Sequence, residues 1–156
     1  MTLKNNFMLR AIELSVNSAN NTGGPFGCVI VRDNKIIAEG SNIVTSSNDP
    51  TAHAEIVAIR DACQKLNTFN LSGSDLYSSC EPCPMCLSAI YWSHIDNIFY
   101  ANTRNDAKKI NFDDSFIYSE FSKKIEDRKI PTKQMLRDEA LKAFELWNKK
   151  TDKMEY

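Results

Sequence analysis

Apolar positions early in the chain recur at helical spacing. Phe7, Ala11, Leu14 and the Ser18-Ala19 pair predict a helix over about 3–19, which Gly23-Gly24-Pro25 then breaks. Strand-like runs follow at 26–31 and 35–39, joined through Asp33-Asn34 as a hairpin. Residues 42–51 read as a polar loop containing Asp49-Pro50. A helix should open near His53 and run to about Leu66, burying Ile56, Ile59, Cys63 and Leu66. Residues 75–79 read as a third strand, 83–93 as a helix, and 97–101 as a fourth strand. From Asp106 to Lys150 the pattern is mainly helical, interrupted at Pro131. Helices alternating with short strands predict an α/β fold, a three-layer α/β/α sandwich around a central mixed sheet.

Composition narrows the picture. The chain has 156 residues, which suits one domain. Its formal net charge of −1 offers no broad electrostatic footprint for nucleic acid. The longest apolar stretches fall far short of a membrane span, and the first residues lack the apolar core of a signal peptide. Cysteine occurs five times, an odd number, and Cys83 and Cys86 stand at a metal-type spacing. That usage predicts a reducing, cytoplasmic setting over a disulfide framework.

The candidate chemistry lies in T-A-H-A-E at 51–55 and E-P-C-P-M-C at 81–86. One imidazole and two thiolates hold zinc and leave a fourth position open, the composition of a catalytic site. Zn²⁺ with two thiolates and a neutral imidazole carries no net charge, so a separate base is useful for activating water. Glu55 is the carboxylate built into the motif, and it is read as the proton carrier. Residues two apart on a helix point about 200° from each other. His53 and Glu55 therefore converge only if they occupy a first turn, with the site off the helix end. Thr51 as candidate cap and Pro50 place a helix start there. Pro82 and Pro84 mark the start of the helix carrying the cysteines. Two helix N-termini would then face each other across the metal, favouring thiolate.

Taken singly, His53 reads as a core or helix-end histidine, Glu55 as a first-turn acid, and the cysteines as a redox pair. Jointly they read as a metal centre. His94 follows a helix end. Cys28, Cys63 and Cys80 lie in apolar surroundings and read as core.

These motifs resemble the cytidine deaminase-like superfamily of zinc nucleobase deaminases, a signature in which the glutamate is no metal ligand. Within it the chain resembles the bacterial guanine deaminases. The resemblance rests on G-G-P-F-G-C-V-I-V at 23–31, S-N-D-P-T-A-H-A-E at 47–55, S-S-C-E-P-C-P-M-C-L-S-A-I-Y-W at 78–92, F-D-D-S-F-I-Y at 112–118 and the closing E-Y. It implies one zinc ion per subunit on His53, Cys83 and Cys86, with Glu55 shuttling protons. Asp114 would recognise the N1–H and 2-amino edge of guanine and relay a proton; without the family match it reads as a helix cap. The resemblance also implies substrate contacts from Asn42, Phe26 and the backbone near Ala54. It further implies a homodimer exchanging a C-terminal segment of about 132–156, with Tyr156 closing the neighbour's pocket and Trp92 near that closure. From composition alone Tyr156 reads as a frayed terminus. Alternatives stay open: a guanosine deaminase, a tRNA adenosine or cytosine deaminase on the same scaffold, and a zinc-stabilised binding module without catalysis. The tRNA adenosine deaminases usually carry a glycine-rich segment after the fourth strand, where this chain has A-N-T-R-N-D at 101–106.

Overall fold

The structure, a computed structural model, describes residues 2–21 and 23–156. The elements run α1 (Leu3–Ala19), β1 (Gly27–Arg32), β2 (Lys35–Ser41), α2 (Val44–Ser47), α3 (Ala54–Leu66), β3 (Ser74–Cys80), α4 (Pro84–Trp92), β4 (Asn97–Asn102), α5 (Arg104–Lys109), α6 (Ser115–Ser122) and α7 (Arg137–Lys149). A 3-10 turn at Ile125–Asp127 lies between the last two helices. The chain divides into two compact units, Met1–Asp114 and Ser115–Tyr156.

In the first unit, four strands form one sheet in the order β2-β1-β3-β4. The β1 strand pairs antiparallel with β2 and β3, while β3 and β4 run parallel, so the sheet is mixed as expected. Asp33 and Asn34 turn the hairpin with φ of 50° and 59°, the left-handed pair that a two-residue turn requires.

Strand alternation sorts the core into two faces. Cys28 and Ile30 of β1 and Leu76 of β3 pack with Ala54, Ala58 and Ala62 of α3 and Ile90 of α4. Val29, Val31 and Tyr77 point the other way, onto Phe7 and Ala11 of α1. Tyr77 is held between Phe7 and Phe99, with ring centroids 5.5 and 4.7 Å away. The Arg10 guanidinium reaches Glu39 at 2.8 Å through each of two nitrogens, tying α1 to β2 and holding the Glu39 carboxyl below the usual carboxylate range. Small alanines on α3 let the helix approach the sheet closely. A Cβ at residue 40 would collide with the Ala54 carbonyl, so glycine there lets β2 lie against the first turn of α3.

The sequence reading needs three adjustments. The 42–51 loop contains the short helix α2, capped at Asn48 in a left-handed conformation, because Ser46 and Ser47 turn back onto the Ile43 carbonyl. Leu66 is exposed: α3 buries the alanine stripe and Ile56, and Leu66 is its last residue, directly before the left-handed C-cap Asn67. The region after Asp106 is helical only in pieces, with no regular element between the 3-10 turn and α7. That gap spans Pro131, which supplies no backbone N–H and restricts the residue before it. In the second unit, α7 buries no side chain; Phe144 and Leu146 are 74% and 71% exposed. Among the described residues, no helix is long and apolar enough to cross a membrane.

Candidate metal centre

Two helix starts build the centre. His53 is the N-cap of α3 and Cys83 the N-cap of α4, each extended in backbone (φ −69°, ψ 157° and φ −65°, ψ 168°) and neither using its side chain to cap. Their carbonyls instead accept from Val57 and Leu87, both at 2.9 Å, beginning the helical ladders. Both side chains are thereby free to project off the helix ends, as the i, i+2 argument for His53 and Glu55 required. Pro84 opens α4 at N1, where its missing N–H costs nothing. One turn in, Cys86 faces the same point and is fully buried.

The loop that delivers His53 is tied down before the helix begins. Asp49 accepts from the backbone N–H of Thr51 at 2.8 Å and from its hydroxyl at 2.7 Å. Arg60 reaches Asp49 at 3.3 Å. The Ile43 N–H bonds to the Ala52 carbonyl at 3.1 Å, bringing the Asn42 segment alongside.

The three donors converge. The Nδ1 atom of His53 lies 3.6 Å from Cys83 Sγ and 3.5 Å from Cys86 Sγ, and all three atoms lie within 4.8 Å of one another. A tetrahedral zinc with ordinary bond lengths to nitrogen and sulfur sets an N···S separation of about 3.6 Å. The residues therefore fit the ion, in atom type and in spacing. Electrostatics favour thiolate at one of the two sulfurs. The Cys83 thiol falls to about 4, chiefly because Cys86 hydrogen-bonds to it and secondarily through His53, although burial opposes. Its partner Cys86 is raised as the donor in that pair. His53 is raised by its bond to Cys83.

Glu55 sits beside this trio and 6% exposed. Its Oε2 is 3.4 Å from Cys86 Sγ, and Ser78 donates its hydroxyl to Oε1 at 3.1 Å. Burial raises the Glu55 carboxyl above the usual carboxylate range. Cys80, hydrogen-bonded to the Thr103 carbonyl at 3.7 Å, is pushed up to about 11 by burial and by Glu55; it is a core thiol, as expected. Cys28 is fully buried and Cys63 packs against the same core.

The other candidates are distributed unevenly. Asn42 is buried, and its backbone N–H bonds to the Phe26 carbonyl at 3.2 Å. Its side-chain oxygen accepts from Val44 N–H at 3.3 Å. A Cβ on Gly24 would touch both the Asn42 amide and the Phe26 ring at 3.3 Å, so these two side chains are neighbours. Phe26 meets Phe112 edge-on, with centroids 4.9 Å apart. Two residues on, half-buried Asp114 is raised by burial and then by the charge of Cys83. It thus lies within electrostatic reach of the metal ligands.

Trp92 is not brought to this chain's own centre. It ends α4, roughly 9 Å along the axis beyond Cys86, and is 64% exposed. Tyr156 belongs to the second unit and is 74% exposed. Ser78 and Phe112 were not singled out by the sequence reading. Ser78 had a signal: it shares a strand face with core Leu76, and a polar side chain on a buried face must find a partner.

Comparison with known proteins decides the family. The model described as the cytidine and deoxycytidylate deaminase zinc-binding region matches residues 1–102. This chain belongs to that zinc-binding deaminase family. Its members' similarity to the chain is graded. The guanine deaminase of Bacillus subtilis (strain 168) is 52% identical over 151 residues, 96% of this chain and 97% of the relative. An X-ray structure of guanine deaminase from Bacillus subtilis superposes with a TM-score of 0.94, covering 97% of this chain and 98% of that one, at 52% identity. A solved guanine deaminase from Nitrosomonas europaea is 33% identical, with a TM-score of 0.65 over 69% of this chain and 63% of that one. The tRNA-specific adenosine deaminase of Aquifex aeolicus (strain VF5) is 44% identical over 77 residues, 49% of this chain and 51% of the relative. In this zinc-binding family His53, Cys83 and Cys86 are positioned to bind the ion, and the mixed sheet is part of the fold shared with guanine deaminase.

Proposed function

We propose that this chain hydrolyses guanine to xanthine and ammonia, water replacing the 2-amino group. The observation that carries the reading is the reach of the likeness. Similarity to the Bacillus guanine deaminase spans 96% of the chain at 52% identity, whereas similarity to tRNA-specific adenosine deaminases spans 49% (Aquifex aeolicus, 44% identical) to 76% (Buchnera aphidicola, 38% identical). A zinc ion on His53, Cys83 and Cys86 would acidify a water enough to make it a nucleophile near neutral pH.

The protein's own groups do the rest. Glu55, buried and raised above the usual carboxylate range by that burial, takes the proton that the attacking water releases. It delivers that proton to a ring nitrogen and assists departure of ammonia. Asp114 accepts from the N1–H and the 2-amino group together, since an ionised carboxylate offers only acceptors and such charge-assisted pairs are strong. Phe26, braced edge-on by Phe112, offers a face for the purine, and Asn42 beside it supplies a polar contact. The Ala54 N–H at the start of α3 lacks a helical acceptor and adds a donor. The reading treats residues 1–156 as one deaminase domain in the reducing cytoplasm, a setting compatible with its five free cysteines.

The deciding experiment measures ammonia release from guanine, guanosine, adenine, cytosine and tRNA. Guanine turnover well above the others is expected, and preferential turnover of guanosine or tRNA would replace this reading. The Asp114→Ala change should lower kcat/KM for guanine by about 10- to 100-fold, the worth of a hydrogen bond to a charged group, while zinc content stays. Equal loss of zinc and rate would make Asp114 structural.

The proposal extends to assembly: two copies pair, exchanging about 132–156, so that Tyr156 closes a partner's pocket with Trp92 near the closure. Phe144 and Trp147, three apart on α7 and so on one face, are both exposed and support it. A dimer mass by light scattering is expected at assay concentrations. A fully active monomer would remove the exchange.

A further inference from the structure

We infer that Ser78 is a positioning residue for Glu55, fixing which carboxylate oxygen is left to handle protons; the inference rests on the proposed guanine hydrolysis. Glu55 leaves a helix whose first turn sets its Cα, but a glutamate has three further torsions. Burial alone does not choose among their rotamers. The strand chooses. Ser78 lies in β3, paired to Cys28 of β1 and Tyr100 of β4, so its backbone is held from both sides. It is 1% exposed and shares the α3 face of the sheet with the core residue Leu76.

Its hydrogen-bond roles are ordered. The Cys80 N–H donates to Ser78 Oγ at 3.5 Å, occupying a lone pair. The Ser78 hydroxyl hydrogen is thereby turned to Glu55 Oε1, 3.1 Å away. The two Glu55 oxygens become inequivalent: Oε1 is tied to the strand, and Oε2 faces the ligand sulfur of Cys86 at 3.4 Å. A proton carrier works only when the reacting oxygen is held in reach, and small misplacements cost large factors in rate. Without the hydroxyl, the carboxylate gains freedom to rotate its plane away from the centre while remaining buried.

Three measurements test this on the zinc-loaded full chain: guanine kinetics, zinc per chain, and thermal midpoint. In Ser78→Ala, kcat should fall about 10- to 100-fold, with KM within about threefold of wild type and zinc content unchanged. In Ser78→Thr, which restores the hydroxyl on the same carbon, kcat should return to within about fivefold of wild type. An Ser78→Ala enzyme with undiminished kcat overturns the inference. So does a loss of rate that tracks loss of zinc or of folded protein, or a threonine variant as slow as alanine. Wild-type protein inactive on guanine would instead overturn the proposed reaction, which separates the two failures.

Discussion

Replacing Glu55 by alanine leaves zinc bound and cuts ammonia release by several orders of magnitude, about 10²–10⁴ for each acid–base step lost. The retention of metal follows from the donor set: the convergent atoms belong to His53, Cys83 and Cys86, and the Glu55 carboxylate stands outside them against Cys86. The loss of rate follows from position and environment. Glu55 is the buried carboxylate beside the trio, and burial raises it above the usual carboxylate range. Glu55→Gln sharpens the test, since it keeps the shape and hydrogen-bonding capacity and removes the basicity. Metal analysis beside an ammonia assay decides the matter. A zinc-replete Glu55→Ala enzyme running at the normal rate would strike Glu55 from the chemistry.

Stripping the metal with a chelator should abolish turnover, by more than about 10³-fold given how far zinc lowers the pKa of water, and adding Zn²⁺ back should restore it. The same treatment should lower the thermal midpoint, because binding to the folded site alone stabilises that state. Cys86→Ser should reproduce the loss: hydroxyl oxygen is a poor substitute for thiolate, and the side chain is fully buried beside its partners. Protein that stays fully active at vanishing zinc content would sink the whole account of the centre.

Much of this arrangement was legible before the structure. Helical spacing marked α1, Asp33-Asn34 marked the hairpin, and the metal trio was readable because one histidine and two cysteines in these motifs admit little else. The convergence of His53 and Glu55 was readable too, since only a helix start reconciles their spacing. The rest needed three dimensions. Ser78 reaches Glu55 across 23 residues of chain, and nothing local distinguishes it from Ser79, whose hydroxyl accepts from Gly27 N–H instead. The Phe26–Phe112 contact joins a strand entry to a loop, and neither partner carries a periodic signal for the other. Leu66 differs because helical periodicity reports a face, whereas burial also depends on position along the helix, and Leu66 is the last residue of α3.

Neither His53 nor Cys83 spends its side chain on capping the helix it begins, and this has a consequence for how the cation is kept. Each is the hinge residue at which irregular chain becomes helix, so each hangs on the least cooperative peptide units of its element. An ion clasping both is a rivet through two such joints. Letting go of it and loosening either joint become one event, and the protein's grip on its cofactor is set by the rigidity of two short stretches of backbone as much as by sulfur and nitrogen.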